Sequence, residues 1–405
     1  MFGLRKFLNA IRGVDRKRLR LLGVVTGGHS VLHWYMEIFS VILPSVKTGL
    51  GLSDLQVGTL MTARQVTQGT LNLPSGMLAD SLMRYRPVLL TASLLIMGIA
   101  YTLFGISTTF IWTLLAAGLV GLATALWHPT AIASLSNQFP DRRATALAVH
   151  STGASISNTL TPIAVGSTLV IFEWRDLLGF QIVPALLAAF LLWWGLIGTF
   201  ADIGSSPSGS KQIREIGELA RNRVFIGIAV IRGLMRTGRL IIITFLPIYL
   251  QEHLGYSPFL MGFNLSLLYG IGIVSQPIIA ILSDRFGRKT VLFPSLILLG
   301  LLYLMLWAAT PGIQLGFVIA AIGIFFFTLS NVTTAAVMDI AGSKIQASSF
   351  GLASLVTQVL SLPAPILAGY LIGIYGIGSA FLLSGAVAFI AAVVVVPLRL
   401  HPGVD

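Results

Sequence analysis

Apolar residues along this chain fall into long, nearly unbroken runs with short polar punctuation between them, and neither strand-like alternation nor a heptad pattern is sustained. Runs that are apolar on every face and about 20 residues or longer match what a helix needs to cross a bilayer. Twelve such spans are predicted, at 21–45, 53–79, 87–107, 109–136, 142–170, 177–201, 223–250, 258–282, 289–310, 312–339, 347–374 and 377–397. The longest polar stretch, 202–222, opens with Gly204, Ser205, Ser206, Pro207, Ser208, Gly209 and Ser210 and reads as a cytoplasmic linker. It divides the chain into a basic N-terminal segment (1–20), a first six-helix half (21–201), a second six-helix half (223–397) and a short tail (398–405).

Composition agrees with a polytopic all-α membrane protein. Of 405 residues, 55% are hydrophobic and only 10% charged, against about 25% charged in an average soluble domain. The 42 glycines and 17 prolines are tolerated in membrane helices, where neighbours satisfy the freed backbone groups. Cysteine is absent, which excludes disulfides, thiolate metal sites and thiol nucleophiles. The net charge of +12 does not imply a nucleic-acid partner, because its cations line the membrane edges. Seven of them (Arg5, Lys6, Arg12, Arg16, Lys17, Arg18 and Arg20) precede the first span. On the same side fall Arg84, Arg86, Arg142, Arg143, Lys211, Arg214, Arg221, Arg223, Arg285, Arg288, Lys289, Lys344 and Arg399, making twenty, whereas Lys47 and Arg175 alone fall opposite. Positive loops are retained in the cytoplasm, so both termini are expected there, in a cytoplasmic (inner) membrane. The mixture of Phe2, Leu4, Phe7, Leu8 and Ile11 with Arg5, Lys6 and Arg12 suits the membrane surface and does not read as a signal peptide.

The two halves repeat. A shift of 203 residues brings Leu43-Pro44 onto Leu246-Pro247, Pro74 onto Pro277, Pro162-Ile163 onto Pro365-Ile366 and Gly166 onto Gly369. One residue of slip then aligns Leu50-Gly51-Leu52-Ser53 with Leu254-Gly255-Tyr256-Ser257. Six spans per copy start both copies on the same membrane side, which makes the repeat parallel, with a pseudo-two-fold axis along the membrane normal. The loop Asp284-Arg285-Phe286-Gly287-Arg288-Lys289 resembles the D-R-x-G-R-K signature of the major facilitator superfamily, and Gly76-Met77-Leu78-Ala79-Asp80 retains its small residue and acid in the first half. That resemblance implies the twelve-helix major facilitator fold and secondary transport of a small molecule by alternating access, with neither enzymatic activity nor a cofactor. It also makes Asp80, Asp284, Arg285 and Arg288 a conformational latch. Within the superfamily the first half, roughly residues 25 to 166, most resembles the fosmidomycin-resistance type of efflux carrier, through His29 fifteen residues before Pro44, the Leu52-Ser53-Asp54-Leu55-Gln56-Val57-Gly58 entry to the second span, and Trp127-His128-Pro129, while the second half adds only general superfamily features. Two family features are missing. No arginine lies between Ala117 and Leu126, and the antiporter motif of the fifth span survives only as Gly153, Pro162 and Gly166, so import and export both stay open.

Ionisable residues inside spans are costly, at about 2.5–3.5 kcal/mol each on insertion scales, and mark function by default. Arg64 lies roughly 16 Å into its span, near the middle of a core about 30 Å thick. Arg232 and Arg236 share a helix face, and the repeat places them at the positions of His29 and His33, while His128 aligns with Asn331. A guanidinium fork matches carboxylate, phosphate or phosphonate. Arg64, Arg232 and Arg236, with Asn331 and an aromatic wall from Trp34, are therefore expected to bind a small anionic or zwitterionic solute at the interface between the halves. The competing reading has these arginines pairing internally or snorkelling, and it is the stronger one for Arg239. Glu37 is the one acid clearly inside a span, on the side of the first helix that carries His33 and His29. These three, with His128 and more weakly His150, are expected to couple transport to protons, although such histidines also serve simply as packing residues. The four-residue spacing of His29 and His33 would suit a metal, but the arginines argue against one, and no metal is expected. Asn72, Asn158, Asn264, Gln65, Gln68, Gln276 and Gln358 are polar residues suited to helix–helix hydrogen bonds. Alternatives within the membrane class are an exporter of hydrophobic or cationic drugs and a lipid flippase. The expected partners are the solute, protons and the lipid bilayer, with no nucleic acid, and the carrier is expected to be a monomer.

Overall fold

The computed structural model describes residues 15–197, 217, 219–341 and 346–400, so most of the predicted linker, the first fourteen residues and the last five lie outside the described residues. Twelve helical spans run through them: α1 (Arg16–Leu50), α2 (Asp54–Ser81), α3 (Arg86–Ile106), α4 (Phe110–Gln138), α5 (Arg143–Thr168), α6 (Trp174–Phe180 and Ile182–Leu196), α7 (Arg223–Ile248), α8 (Pro258–Phe286), α9 (Arg288–Ala308), α10 (Ile313–Phe326 and Thr328–Ala341), α11 (Gln346–Ser361 and Ala364–Tyr375) and α12 (Gly378–Val395). Eight of them are long and apolar enough to cross a membrane on composition alone; α1, α2, α5 and α7 are the exceptions. These four carry the interior histidines and arginines, His128 excepted, so the polarity of the chain is concentrated on particular helices.

Four interruptions were not foreseen, one of them the break of α11 between Ser361 and Ala364. The sixth span bends at Gln181 and starts at Trp174, earlier than expected, and α10 breaks at Phe327. A π-helical turn, Tyr249–His253, extends α7 past Pro247. Proline removes one rung of the helical ladder, and a wider turn next to it is a common local answer.

The repeat is visible in backbone detail. Gly51 and Gly255, paired by the alignment, both take the left-handed conformation, with φ of 62° and 66°, which glycine adopts without steric cost. Each turn is followed by a serine cap: Gln56 N donates to Ser53 Oγ at 3.2 Å, and Leu260 N to Ser257 Oγ at 3.2 Å. In the first half Gln56 completes a reciprocal capping box, accepting from Ser53 N at 2.9 Å. At the basic-loop end the copies diverge. Gly287, at φ 90°, ends α8, whereas a short 3₁₀ turn, Met83–Tyr85, follows α2.

Packing divides the chain differently from the sequence halves. One compact unit takes Met1–Ile38, Ala63–Asn158 and Glu173–Ser206, and the other takes Phe39–Thr62, Thr159–Phe172 and Pro207–Asp405. The second unit therefore contains the charge-poor ends of α1, α2 and α5 together with α7–α12. What binds them there is close backbone contact. A methyl added at Gly58 of α2 would lie 2.1 Å from the carbonyl oxygen of Pro365 in α11, and one at Gly369 would lie 2.3 Å from that of Asp54. The other copy shows the same arrangement, with Gly262 of α8 at 2.2 Å from the Pro162 carbonyl of α5 and Gly166 at 2.4 Å from that of Pro258. Two helix pairs thus meet at backbone distance, each through two glycines, and the repeat relates Gly58 to Gly262 and Gly166 to Gly369. Lys47 adds a charged tie at the same end, reaching Asp54 at 2.7 Å and Glu252 at 2.6 Å. Burial pulls the Lys47 ammonium down and the two carboxylates push it up. The carboxylates prevail, so its pKa is raised and the tie stays charged at neutral pH.

A Gly58→Ala substitution overpacks this contact, which typically costs about 1–3 kcal/mol, and on the order of tenfold greater opening of the charge-poor end is expected. Because the chain has no cysteine, Thr62→Cys, beside the Leu362 carbonyl at 3.3 Å, reports it without background. Labelling by an impermeant maleimide should be faster in the Gly58→Ala background, and equal rates would show that the contact does not hold that end shut.

Candidate functional site

In the first unit, helix contacts made through glycine assemble a histidine cluster. At Gly28 an added methyl would strike the Trp127 ring at 2.3 Å, and at Gly153 it would strike the Thr26 carbonyl oxygen at 2.7 Å. Small residues here press α4 and α5 against α1. His29 and His33 of α1 thereby meet His128 of α4 and His150 of α5. The His29 and His150 rings stack at 3.8 Å, and His29 meets His33 edge-on at 4.6 Å and His128 at 5.5 Å. Trp127 lies parallel to His29 with centroids 6.4 Å apart.

The Nδ1 atoms of His29, His33 and His128 are engaged, whereas His150 Nδ1 is buried without a hydrogen-bond partner. His29 Nδ1 lies 2.9 Å from the His150 carbonyl oxygen, His33 Nδ1 2.8 Å from Asn158 Oδ1, and His128 Nδ1 3.0 Å from the Thr124 carbonyl oxygen. A carbonyl oxygen only accepts, so each Nδ1 carries the hydrogen and each Nε2 presents a lone pair. His29 is buried, and its Nε2 has no hydrogen-bond partner.

Arg64 is only 5% exposed. It sits where α2 presses on α4, since an added methyl at Gly121 would lie 2.3 Å from its carbonyl oxygen, and its Nη1 donates to the Met36 carbonyl at 3.4 Å. It also acts electrostatically on His33 and His128. The expected group of Arg64, His29, His33 and His128 is therefore gathered in one unit. Glu37 is half-buried one turn beyond His33 on α1. Trp34 is committed elsewhere, with its indole donating to Gln181 Oε1 at 3.3 Å at the bend of α6.

In the second unit, the arginines of α7 hold to α10. Arg232 Nη1 donates to the Ser330 carbonyl at 3.3 Å, to Thr333 Oγ1 at 3.3 Å and to Thr334 Oγ1 at 2.5 Å. Arg239 donates to the Phe326 carbonyl at 3.3 Å and to Ser330 Oγ at 3.0 Å, with its guanidinium 5.1 Å above the Phe327 ring. These contacts surround the break at Phe327, where polar backbone becomes available inside a span. Arg236 is half-buried on the same helix, and Asn331 is exposed, donating to Gln276 Oε1 of α8 at 3.1 Å. The threonines of α10 and the helix break were missed. Their signal was thin, since Ser and Thr are ordinary in membrane helices and no proline or glycine announces the break.

Of the expected latch, Arg288 bonds Asp284 and reaches Asp339 of α10 at 3.1 Å. Burial lowers the Arg288 pKa and the two carboxylates raise it; the net shift is upward. Asp339 was also missed. Arg285 lies 5.3 Å above the neighbouring Phe286 ring, and the Asp80 side chain is outside the described residues.

The model of the Major Facilitator Superfamily matches residues 25–236 and 228–404. A relative described as a probable sulfoacetate transporter, SauU, from Cupriavidus necator is 24% identical, over 93% of this chain and 93% of its own length. A multi-drug resistance efflux pump, PmrA, from Streptococcus pneumoniae is 29% identical over 38% of this chain and 40% of its own. The crystal structure of a nucleoside transporter, NupG, superposes with a TM-score of 0.77 at 14% identity, covering 95% of this chain and all (100%) of that one.

Hydrogen bonds to a charged group contribute about 1.5–3 kcal/mol. Thr334→Val should accordingly lower the melting temperature of the detergent-solubilised protein by several degrees. An unchanged melting temperature would show that the Thr334 hydroxyl does not contribute to holding Arg232.

Proposed function

We propose, for a chain that belongs to the Major Facilitator Superfamily, that it carries a small anionic or zwitterionic organic solute by alternating access, coupled to protons. The observation that carries this reading is the cradle of Arg232. Three of its contacts, one carbonyl and two hydroxyls on α10, fix the orientation of the guanidinium, whose planar fork matches a carboxylate, phosphate or phosphonate. Arg64 is the matching cation of the first unit, and Arg236 and Asn331 extend the polar surface of the second. Coupling runs through Glu37, with His33, His29 and His128 as neighbouring proton acceptors. The sulfoacetate description of the Cupriavidus necator relative supports a small organic anion as solute. The charge asymmetry of the loops supports a cytoplasmic membrane with both termini inside, and the carrier works as a monomer.

A second reading is efflux. It draws on the likeness of His29, Leu52–Gly58 and Trp127-His128-Pro129 to fosmidomycin-resistance carriers, and on the Streptococcus pneumoniae pump. In that case the exported compound is an anionic antibiotic or metabolite. Hydrophobic or cationic drugs would want an acid-rich site, and lipid flipping would use the same arginines on a headgroup.

In proteoliposomes loaded with a pH-sensitive dye, sulfoacetate or another small carboxylate, phosphate or phosphonate should elicit proton movement. Arg64→Ala and Arg232→Ala should each reduce it by about 10–100-fold, the value of a charge-assisted contact. If both variants transport as the parent does, or if only cationic drugs or labelled lipids cross, the anion assignment fails.

A further inference from the structure

Three histidines from two helices bring one ring nitrogen each to within 4.8 Å of one another: His29, His33 and His128. Two of them were visible as a one-turn spacing on α1, and the third arrives only through the packing of α4. We infer that this cluster is a binding site for a divalent transition metal ion of the borderline class, such as zinc or cobalt, held by three Nε2 atoms with a fourth position left open.

Four observations support the site. First, imidazole nitrogens are the preferred ligands for such ions, and three histidines plus an exchangeable position is an established coordination set for zinc. Second, a metal-bound histidine nearly always donates its other ring N–H to an oxygen, which fixes the tautomer and directs the lone pair. All three rings do this, to the His150 carbonyl, Asn158 Oδ1 and the Thr124 carbonyl. Third, His29 is 5% exposed, and its Nε2 is buried without a hydrogen-bond partner, an arrangement that otherwise loses a hydrogen bond for nothing. Fourth, His150 stacks on His29 at 3.8 Å and holds that ring in place while also accepting its N–H. His33 and His128 are half-buried rather than sealed, which leaves a path for the ion.

Arg64 opposes the site. It acts electrostatically on His33 and His128, and a second cation beside it is repelled. Within the unit that holds the cluster, Arg64 is the intramembrane arginine that acts on it. Affinity is therefore tempered rather than abolished, and the open position favours an anionic fourth ligand, which lies between two positive groups.

The test uses the full chain purified without a histidine tag, stripped with a chelator and titrated with cobalt(II) alone in the visible range. Saturable uptake of one ion per chain is expected, displaced by zinc. His128→Ala should weaken it more than 100-fold. Asn158→Leu, which touches no ligand atom, should weaken it by about 10–100-fold, as loss of such an orienting partner does. Arg64→Ala should tighten it several-fold, a change that a misfolded protein cannot mimic. Absence of saturable uptake, or uptake indifferent to both His128→Ala and Asn158→Leu, would overturn the site. Cobalt binding is read without any solute, so its failure leaves anion transport standing, and loss of anion transport leaves the metal site standing.

Discussion

Everything else in this molecule is arranged around a place where two helix pairs touch at backbone distance. Gly58 and Gly369 join α2 to α11, and Gly262 and Gly166 join α8 to α5, each through a carbonyl that an added methyl would strike at 2.1 to 2.4 Å. No side chain beyond hydrogen fits, so these positions follow from geometry and not from helix propensity, which glycine lowers. The contact draws the charge-poor ends of α1, α2 and α5 into one compact unit with α7–α12. Lys47, between Asp54 and Glu252, secures the same end electrostatically.

The two copies of the repeat share this frame and differ in their chemistry. Paired turns have paired glycines at positive φ and paired serine caps. The polar positions diverge completely: His29 and His33 stand where Arg232 and Arg236 stand, and His128 where Asn331 stands. Their partners diverge accordingly. The imidazoles turn to two carbonyls and an amide on α4 and α5, while Arg232 turns to hydroxyls and a carbonyl on α10. Duplication supplied the scaffold, and side-chain substitution made one unit a cluster of lone pairs and the other a set of fixed cations.

Much of this was legible in the chain. Twelve apolar runs gave the helix count, because a bilayer sets a minimum length that few other constraints imitate. The 203-residue shift also paired the glycines and prolines whose contact the structure reveals, although their partners across α2, α11, α8 and α5 could not be read from it. What escaped were features that depend on tertiary packing. The break at Phe327 has no proline or glycine to announce it. Asp339 becomes the second acid of Arg288 only because α10 ends beside α8, and Trp34 is drawn to Gln181 by a bend in α6 that hydropathy cannot show. Convergence of His128 on the α1 histidines needed three helices pressed together through Gly28 and Gly153.

The glycine contacts have an evolutionary consequence. They involve main chain alone, and main chain is the one part of a protein that mutation of neighbouring side chains leaves chemically unchanged. A lineage can therefore exchange histidine for arginine, or threonine for asparagine, along α1, α4, α7 and α10 without redesigning the closure, and selection for a new cargo acts on one set of positions while selection for movement acts on another. Such a separation would let a single architecture serve chemically unrelated solutes while the four glycines of this chain keep the backbone contact.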